Sequence, residues 1–211
     1  MRRVALTVFF LLATWTFAQT AGAPIWKPRL ITRDRFPNST VREVMVSDFD
    51  ISDLKIVLEK TRLSDIQAKL GADEGHDGEA GDSLYWLCYR GRDADGPWAL
   101  WLMAGEMDDG TVGRFQWRRI RPSERFDDRC PVLQRTKSKV KLPLTLRLGM
   151  PEADLVKMLG RPTRRYGQTL MFVHNHDEIL NNQPYTVQNT VTVLIRDGKV
   201  SAVEVFKLTS S

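Results

Sequence analysis

His174-Asn175-His176-Asp177-Glu178 is the one stretch of this 211-residue chain with the residue types of a metal site. Two histidines at i and i+2 on a strand point the same way, so their imidazoles could share a Zn²⁺ with Asp177 or Glu178. The spacing is not that of a closed structural site and no second ligand pair accompanies it. The run therefore also reads as a solvated strand end or hairpin loop; His174 and His176 stay as candidate ligands, and no cofactor is assigned. The acidic run Asp73 to Glu79 resembles a calcium loop, but Gly75 stands where the second side-chain ligand belongs and Leu84 where the bidentate Glu belongs. It reads as a hydrated connector. The chain has no Gly-x-Ser-x-Gly elbow, phosphate loop, dinucleotide fingerprint, Cys-x-x-Cys or His-Glu-x-x-His. The expected class is a non-catalytic binding module. The alternatives are a metal- or small-ligand-binding protein and, behind it, a hydrolase built on His174 or His176.

Cys88 and Cys130 are the only cysteines. In an oxidising compartment two cysteines with no third competitor pair by default, so a Cys88 to Cys130 disulfide is expected. Four of the six tryptophans, Trp86, Trp98, Trp101 and Trp117, lie between residues 86 and 117. Alternation along a strand sets Leu84, Trp86 and Cys88 on one face and Tyr85, Leu87 and Tyr89 on the other. A single helix covers one face only, which leaves part of Tyr85, Tyr89 and Trp101 uncovered beside Arg114 and Arg118. Tyr, Trp and Arg are enriched at binding hot spots, so these five residues form the expected partner-binding patch. Ten basic residues from Arg114 to Lys141 make a stripe suited to an acidic protein or another anionic surface.

The elements that must position these groups show an internal repeat. Leu63-Ser64-Asp65-Ile66-Gln67-Ala68-Lys69-Leu70-Gly71 matches Pro151-Glu152-Ala153-Asp154-Leu155-Val156-Lys157-Met158-Leu159-Gly160, and Asp109-Gly110 precedes Asp197-Gly198 by a nearly equal interval. Ile66 and Leu70, like Leu155 and Leu159, lie four apart on one helical face, and Gly71 and Gly160 stop each helix. Ile56 and Leu58 alternate upstream, as Leu144 and Leu146 do. Strands are predicted at Leu84 to Tyr89, Trp98 to Met103 and Val112 to Arg119, then at Gln168 to His174, Thr190 to Arg196 and Val200 to Lys207. The fold class predicted is α+β: two tandem units, each a strand, a helix and a three-stranded antiparallel meander.

Leu148-Gly149-Met150-Pro151-Glu152, Leu155 and Leu159-Gly160-Arg161-Pro162 resemble the Gly-Met-Thr-x-x-x-Val-x-x-x-Leu-Gly-x-Pro signature of the SmpA/OmlA (BamE-like) family. The tandem arrangement is similar to that of the β-lactamase inhibitor protein. The resemblance covers about 60 residues of the second unit well and the first more loosely. It implies a non-catalytic binding surface, in an inhibitor or a cell-envelope assembly factor.

At 42% apolar and 27% charged residues the chain has material for a sizeable core. Its net charge of +5 falls to +3 without Arg2 and Arg3, too little to indicate nucleic-acid binding. Residues 1–18 read as a signal peptide cleaved before Gln19, which makes the mature protein periplasmic or secreted with no membrane span. The expected layout continues with an extended segment at 19–52, a first α+β unit at 53–120, a basic linker at 121–141 and a second unit at 142–211. The expected partner is an envelope or secreted protein.

Overall fold

Asp197 and Gly198 take positive φ values of 49° and 70°, the geometry of a tight hairpin, and two long strands of 14 and 12 residues run out from them. The computed structural model describes residues 24–31, 46–133 and 139–210. Its elements are β1 (Asp48–Ile51), β2 (Leu54–Val57), α1 (Leu63–Leu70), β3 (Glu74–Asp77), β4 (Leu84–Asp93), β5 (Gly96–Gly105), β6 (Arg114–Arg119), β7 (Val140–Lys141), α2 (Glu152–Leu159), β8 (Arg164–Tyr166), β9 (Thr169–Leu180), β10 (Gln183–Arg196) and β11 (Lys199–Ser210). The expected signal peptide lies outside the described residues, as do most of the extended segment and positions 134–138 of the basic linker.

The predicted α+β class of tandem strand-helix-meander units is overturned. The protein is mostly β, 52% strand against 13% helix. One eight-stranded antiparallel sheet runs β3-β4-β5-β6-β11-β10-β9-β8, and a separate three-stranded sheet runs β2-β1-β7. Three physical causes separate expectation from structure. The strands after α1 and those after α2 join edge to edge through β6 and β11, pairing Phe115 with Val205 and Trp117 with Val203. Each group also has a fourth strand made of polar residues, which apolar alternation does not reveal: Glu-Gly-His-Asp in β3 and Arg-Arg-Tyr in β8. Finally, the segments before the helices stay out of the large sheet. β2 pairs with β1, and residues 143–145 form a 3₁₀ turn in place of the expected strand at Leu144 and Leu146.

The run Asp73 to Glu79, expected to be a connector, thus contains an edge strand. Gly75 lies opposite Trp86, and a Cβ there would collide with the indole ring. Only glycine lets this strand close against the tryptophan.

Eight-residue helices are too short to hold together alone and bury a narrow stripe each, Leu63 and Ile66 in α1, Leu155 and Leu159 in α2. They cannot cover eight strands. The same core is completed by Phe49, Ile51 and Ile56 of the small sheet and by Leu142, Leu146, Leu148 and Met150. Each helix start is held by an Asp-Gly turn: the Leu63 N–H donates to the Gly110 carbonyl and the Glu152 N–H to the Gly198 carbonyl, both at 2.9 Å. Buried Asn189 of β10 binds the segment ahead of β1 like another strand, accepting from the Val46 N–H at 3.3 Å and donating to the Val46 carbonyl at 3.0 Å. Among the described residues, no helix is long and apolar enough to cross a membrane.

Candidate functional site

The sheet's other face carries a second, aromatic core. Trp86, Cys88, Ala99, Trp101 and Met103 pack there with Ile25, Ile120 and Cys130. The cover comes from residues 24–31, which cross the sheet as a strap, and from the segment at 120–133. The strap is fixed by backbone bonds between Ile25 and the Arg125–Asp127 stretch and by the Trp101 indole N–H, which donates to the Trp26 carbonyl at 2.9 Å. Cys88 and Cys130 are joined by a disulfide that ties β4 to the covering segment. The pairing expected from cysteine arithmetic is therefore present.

The proposed aromatic patch does not survive as a surface. Trp101 is fully buried under the strap, a cover that strand alternation alone cannot reveal. Tyr89 is fully buried on the opposite face, where its hydroxyl donates to the Gly71 carbonyl at the end of α1 at 2.7 Å. Tyr85 is half-buried against the same core and packs on His76, ring centroids 4.8 Å apart. Arg114 lies over the Phe206 ring at 4.5 Å, and burial lowers its pKa against the pull of Glu204 and Asp108. Arg118 lies over the Trp101 ring at 5.2 Å and pairs with Glu124 at 3.1 Å. Burial lowers the Arg118 pKa too, and Glu124 works against that shift. Glu124 itself is held below its ordinary value. Its own burial opposes this, but the Arg121 N–H and the Arg118 guanidinium together outweigh it.

Tyr89 makes a pH prediction. Burial raises its phenol pKa well above the ordinary 10. In the unfolded chain the phenol ionises near its ordinary value, so above that pH the unfolded state binds fewer protons and stability falls. Tyr89→Phe should cost about 1 kcal/mol at neutral pH through the lost hydrogen bond. It should also flatten the alkaline decline between about pH 9 and 11. Urea midpoints across that range test both; a variant with the wild-type alkaline slope contradicts the assignment.

Part of the basic stripe is neutralised. Besides Arg118, Arg119 pairs with Asp93 at 2.6 Å, Arg121 with Glu124 at 3.3 Å and Arg129 with Asp127 at 2.8 Å. The Arg129 hydrogen bonds hold the Asp127 carboxyl down at about 2. Arg135 and Lys137 lie outside the described residues. His174 and His176 stack at 5.3 Å, as side chains on one strand face should, yet His176 Nε2 sits 2.7 Å from Glu178 Oε1 and lowers the Glu178 pKa. Among the described residues, no group of three or more His, Cys, Asp or Glu side chains is arranged to hold a metal ion.

Composition also hid the free edge of the large sheet. β9 extends six residues past the predicted end at His174, and β8 pairs with it only from Thr169 to Met171. Val173 donates its N–H outward to Thr163 Oγ1 at 3.1 Å. By the two-residue alternation of an antiparallel strand, Asn175, Asp177 and Ile179 also point their N–H and C=O groups outward. Those groups meet no partner among the described residues. The hairpin closes at Asn181 and Asn182, both at positive φ, and its last three residue pairs run beyond the end of β11. Ile179 there is 70% exposed and Leu180 40%. The Asn-Asn pair between alternating runs was the available sequence signal.

No protein-family model, no curated protein and no solved structure matches the chain.

Proposed function

We infer that this chain is an exported, non-catalytic protein-binding module that accepts an extended segment of its partner as an added strand along β9. The observation that carries the reading is the outward backbone of Asn175, Asp177 and Ile179, a ladder without partners among the described residues that ends in two exposed apolar side chains. Long regular sheet edges are normally blunted by proline, by charged side chains (lysine above all) or by a bulge; the two acids here, Asp177 and Glu178, are engaged by Thr186 and His176. Residues 173–180 contain no proline and no lysine, and the β9–β10 register is unbroken. The far side of the same hairpin is protected. Pro184 points its nitrogen away from β9, where β10 runs past the end of β11, and so offers no donor. One side of the tip is closed and the other left open, which is the pattern of an edge kept for strand addition. The disulfide supports export to an oxidising compartment, periplasmic or extracellular. An inhibitor or envelope-assembly role rests on the SmpA/OmlA-like run at 148–162.

Asn175→Pro tests the reading. Its nitrogen already points outward, so proline removes an edge donor without breaking a bond to β10 and should change stability by no more than about 1 kcal/mol. Affinity capture from envelope extract, followed by mass spectrometry, should recover a stoichiometric partner with the wild type. The proline variant should recover at least about tenfold less, equivalent to about 1.4 kcal/mol. Equal recovery by the two proteins removes the β9 edge from the account.

A further inference from the structure

A hollow of about 720 Å³ opens at the far end of the aromatic face, walled by Arg90, Arg92, Pro97, Phe126 and Val132. Arg90 and Arg92 project on the same face of β4 as Trp86 and Cys88, because they follow at two-residue intervals. The segment leading out of the disulfide forms the side wall, since the Arg90 N–H donates to the Pro131 carbonyl and Arg90 in turn accepts from the Leu133 N–H.

What distinguishes the hollow is its charge. On the same face Arg114 rests on the Phe206 ring in the field of Glu204 and Asp108, and Arg118 has a carboxylate partner, Glu124. Arg90 has none among the described residues. Its guanidinium lies 5.5 Å from the Phe126 ring centroid, and its Nε is buried without a hydrogen-bond acceptor. A guanidinium has five donors in a planar fork that matches carboxylate and phosphate oxygens. Arg92 adds a second, exposed cation, while Asp93, the one acid on the rim, is engaged by Arg119. A comparison within the same face sharpens the point. The cleft of about 480 Å³ at its other end is bordered by Lys27 and Arg114 but also by Asp77, Asp82, Glu106 and Asp108, so an anion would be repelled there. At the Arg90 end the balance is reversed.

We propose that the Arg90 hollow binds an amphipathic anion, a carboxylate or phosphate head on an apolar tail. The head would lie against the Arg90 fork and the tail against Phe126, Pro97 and Val132. The volume lies within the range of small-ligand sites, and the mixture of an apolar wall with one convergent polar group is their usual composition. Val132 is 60% exposed, an apolar side chain that a bound tail would shield from water.

Titration of the full chain with decanoate, decyl phosphate and decanol, followed calorimetrically, tests the proposal. At least one of the two anions should bind with a Kd of about 10–100 μM. Arg90→Gln should weaken it tenfold or more with its urea midpoint unchanged, Arg90→Lys should restore part of the loss, and Arg114→Gln at the other cleft should have no effect. Preference for decyl phosphate assigns a phosphate head, and preference for decanoate a carboxylate. Decanol binding as tightly as the anions, wild-type affinity in Arg90→Gln, or no binding of either anion at about 1 mM each overturns the site.

Discussion

Trp101→Ala is expected to lower the free energy of unfolding by about 3–5 kcal/mol, the usual cost of emptying a fully buried tryptophan site. Three losses add at this position. The indole is completely enclosed between Cys88 on β4 and Gln116 on β6, so its removal leaves a cavity that rigid strands cannot close. Its N–H holds the Trp26 carbonyl, one of the side-chain bonds from this layer into the strap, beside that of Gln116 Nε2 to the Arg29 carbonyl at 2.6 Å. Its ring also underlies the Arg118 guanidinium, whose Nε and Nη2 are already buried without acceptors. Trp101→Phe separates the contributions. It keeps most of the apolar area and should cost about 1–2 kcal/mol, mainly through the hydrogen bond and the poorer fit. Urea denaturation measures both variants, and amide exchange at Ile25 and Asp127 reports the strap, because each donates a backbone bond across that contact. A loss below about 1.5 kcal/mol for the alanine variant would show that the aromatic layer is a loosely filled cover rather than a second core.

How much of this was legible in the residues depends on the range of the interaction. Short-range signals read well. Ile66 and Leu155 are buried helix positions, Gly71 and Gly160 take positive φ at the helix ends, and Asp197-Gly198 closes β10 onto β11. Asp109-Gly110 has the same backbone but follows a 3₁₀ turn at Glu106–Asp108 and supports α1 in place of closing a two-residue hairpin. The division of Trp86 and Cys88 from Leu87 and Tyr89 also read correctly, because it depends only on the pleat.

Interactions that join distant parts were not legible. Nothing in Pro-Ile-Trp-Lys-Pro-Arg-Leu-Ile marks residues 24–31 as the cover of Trp101, since the strap has no periodicity and is held mostly by its backbone. The pairing of β6 with β11 is likewise a choice among several apolar strands of similar composition. Polar edge strands are a third blind spot. β8 has all three side chains exposed, so burial leaves no trace in its composition. The candidate site suffers from the same limit, because the open edge of β9 is defined by where β8 stops, a property of a neighbour and not of Asn175 or Asp177 themselves. Trp101 looked exposed for the converse reason: one helix cannot cover two faces, and the strap over the second face was invisible, whereas Tyr89 lies on the helix side, where the end of α1 closes over it.

Removing the disulfide should have an effect of similar size to Trp101→Ala, through a different part of the free energy. Cys88 and Cys130 are separated by 42 residues, and closing a loop of that length in the unfolded chain is worth about 4 kcal/mol on chain entropy. Both sulfurs are fully buried, so reductant reaches them slowly from the native state, and the Cys88→Ala/Cys130→Ala variant is the cleaner probe. Its urea midpoint should fall accordingly, while intact wild-type protein should weigh two hydrogens less than its reduced form. Coupling then identifies what the bridge holds. Cys88 is the cross-strand neighbour of Trp101, and Cys130 closes the segment that also grips Ile25. If the bridge and the indole secure the same cover, the second change removes an interaction the first has already loosened. The triple variant with Trp101→Ala should then lose about 1 kcal/mol less than the sum of the separate losses. Strict additivity would mean that the strap is fastened independently at its two ends, with the disulfide acting on the unfolded chain alone.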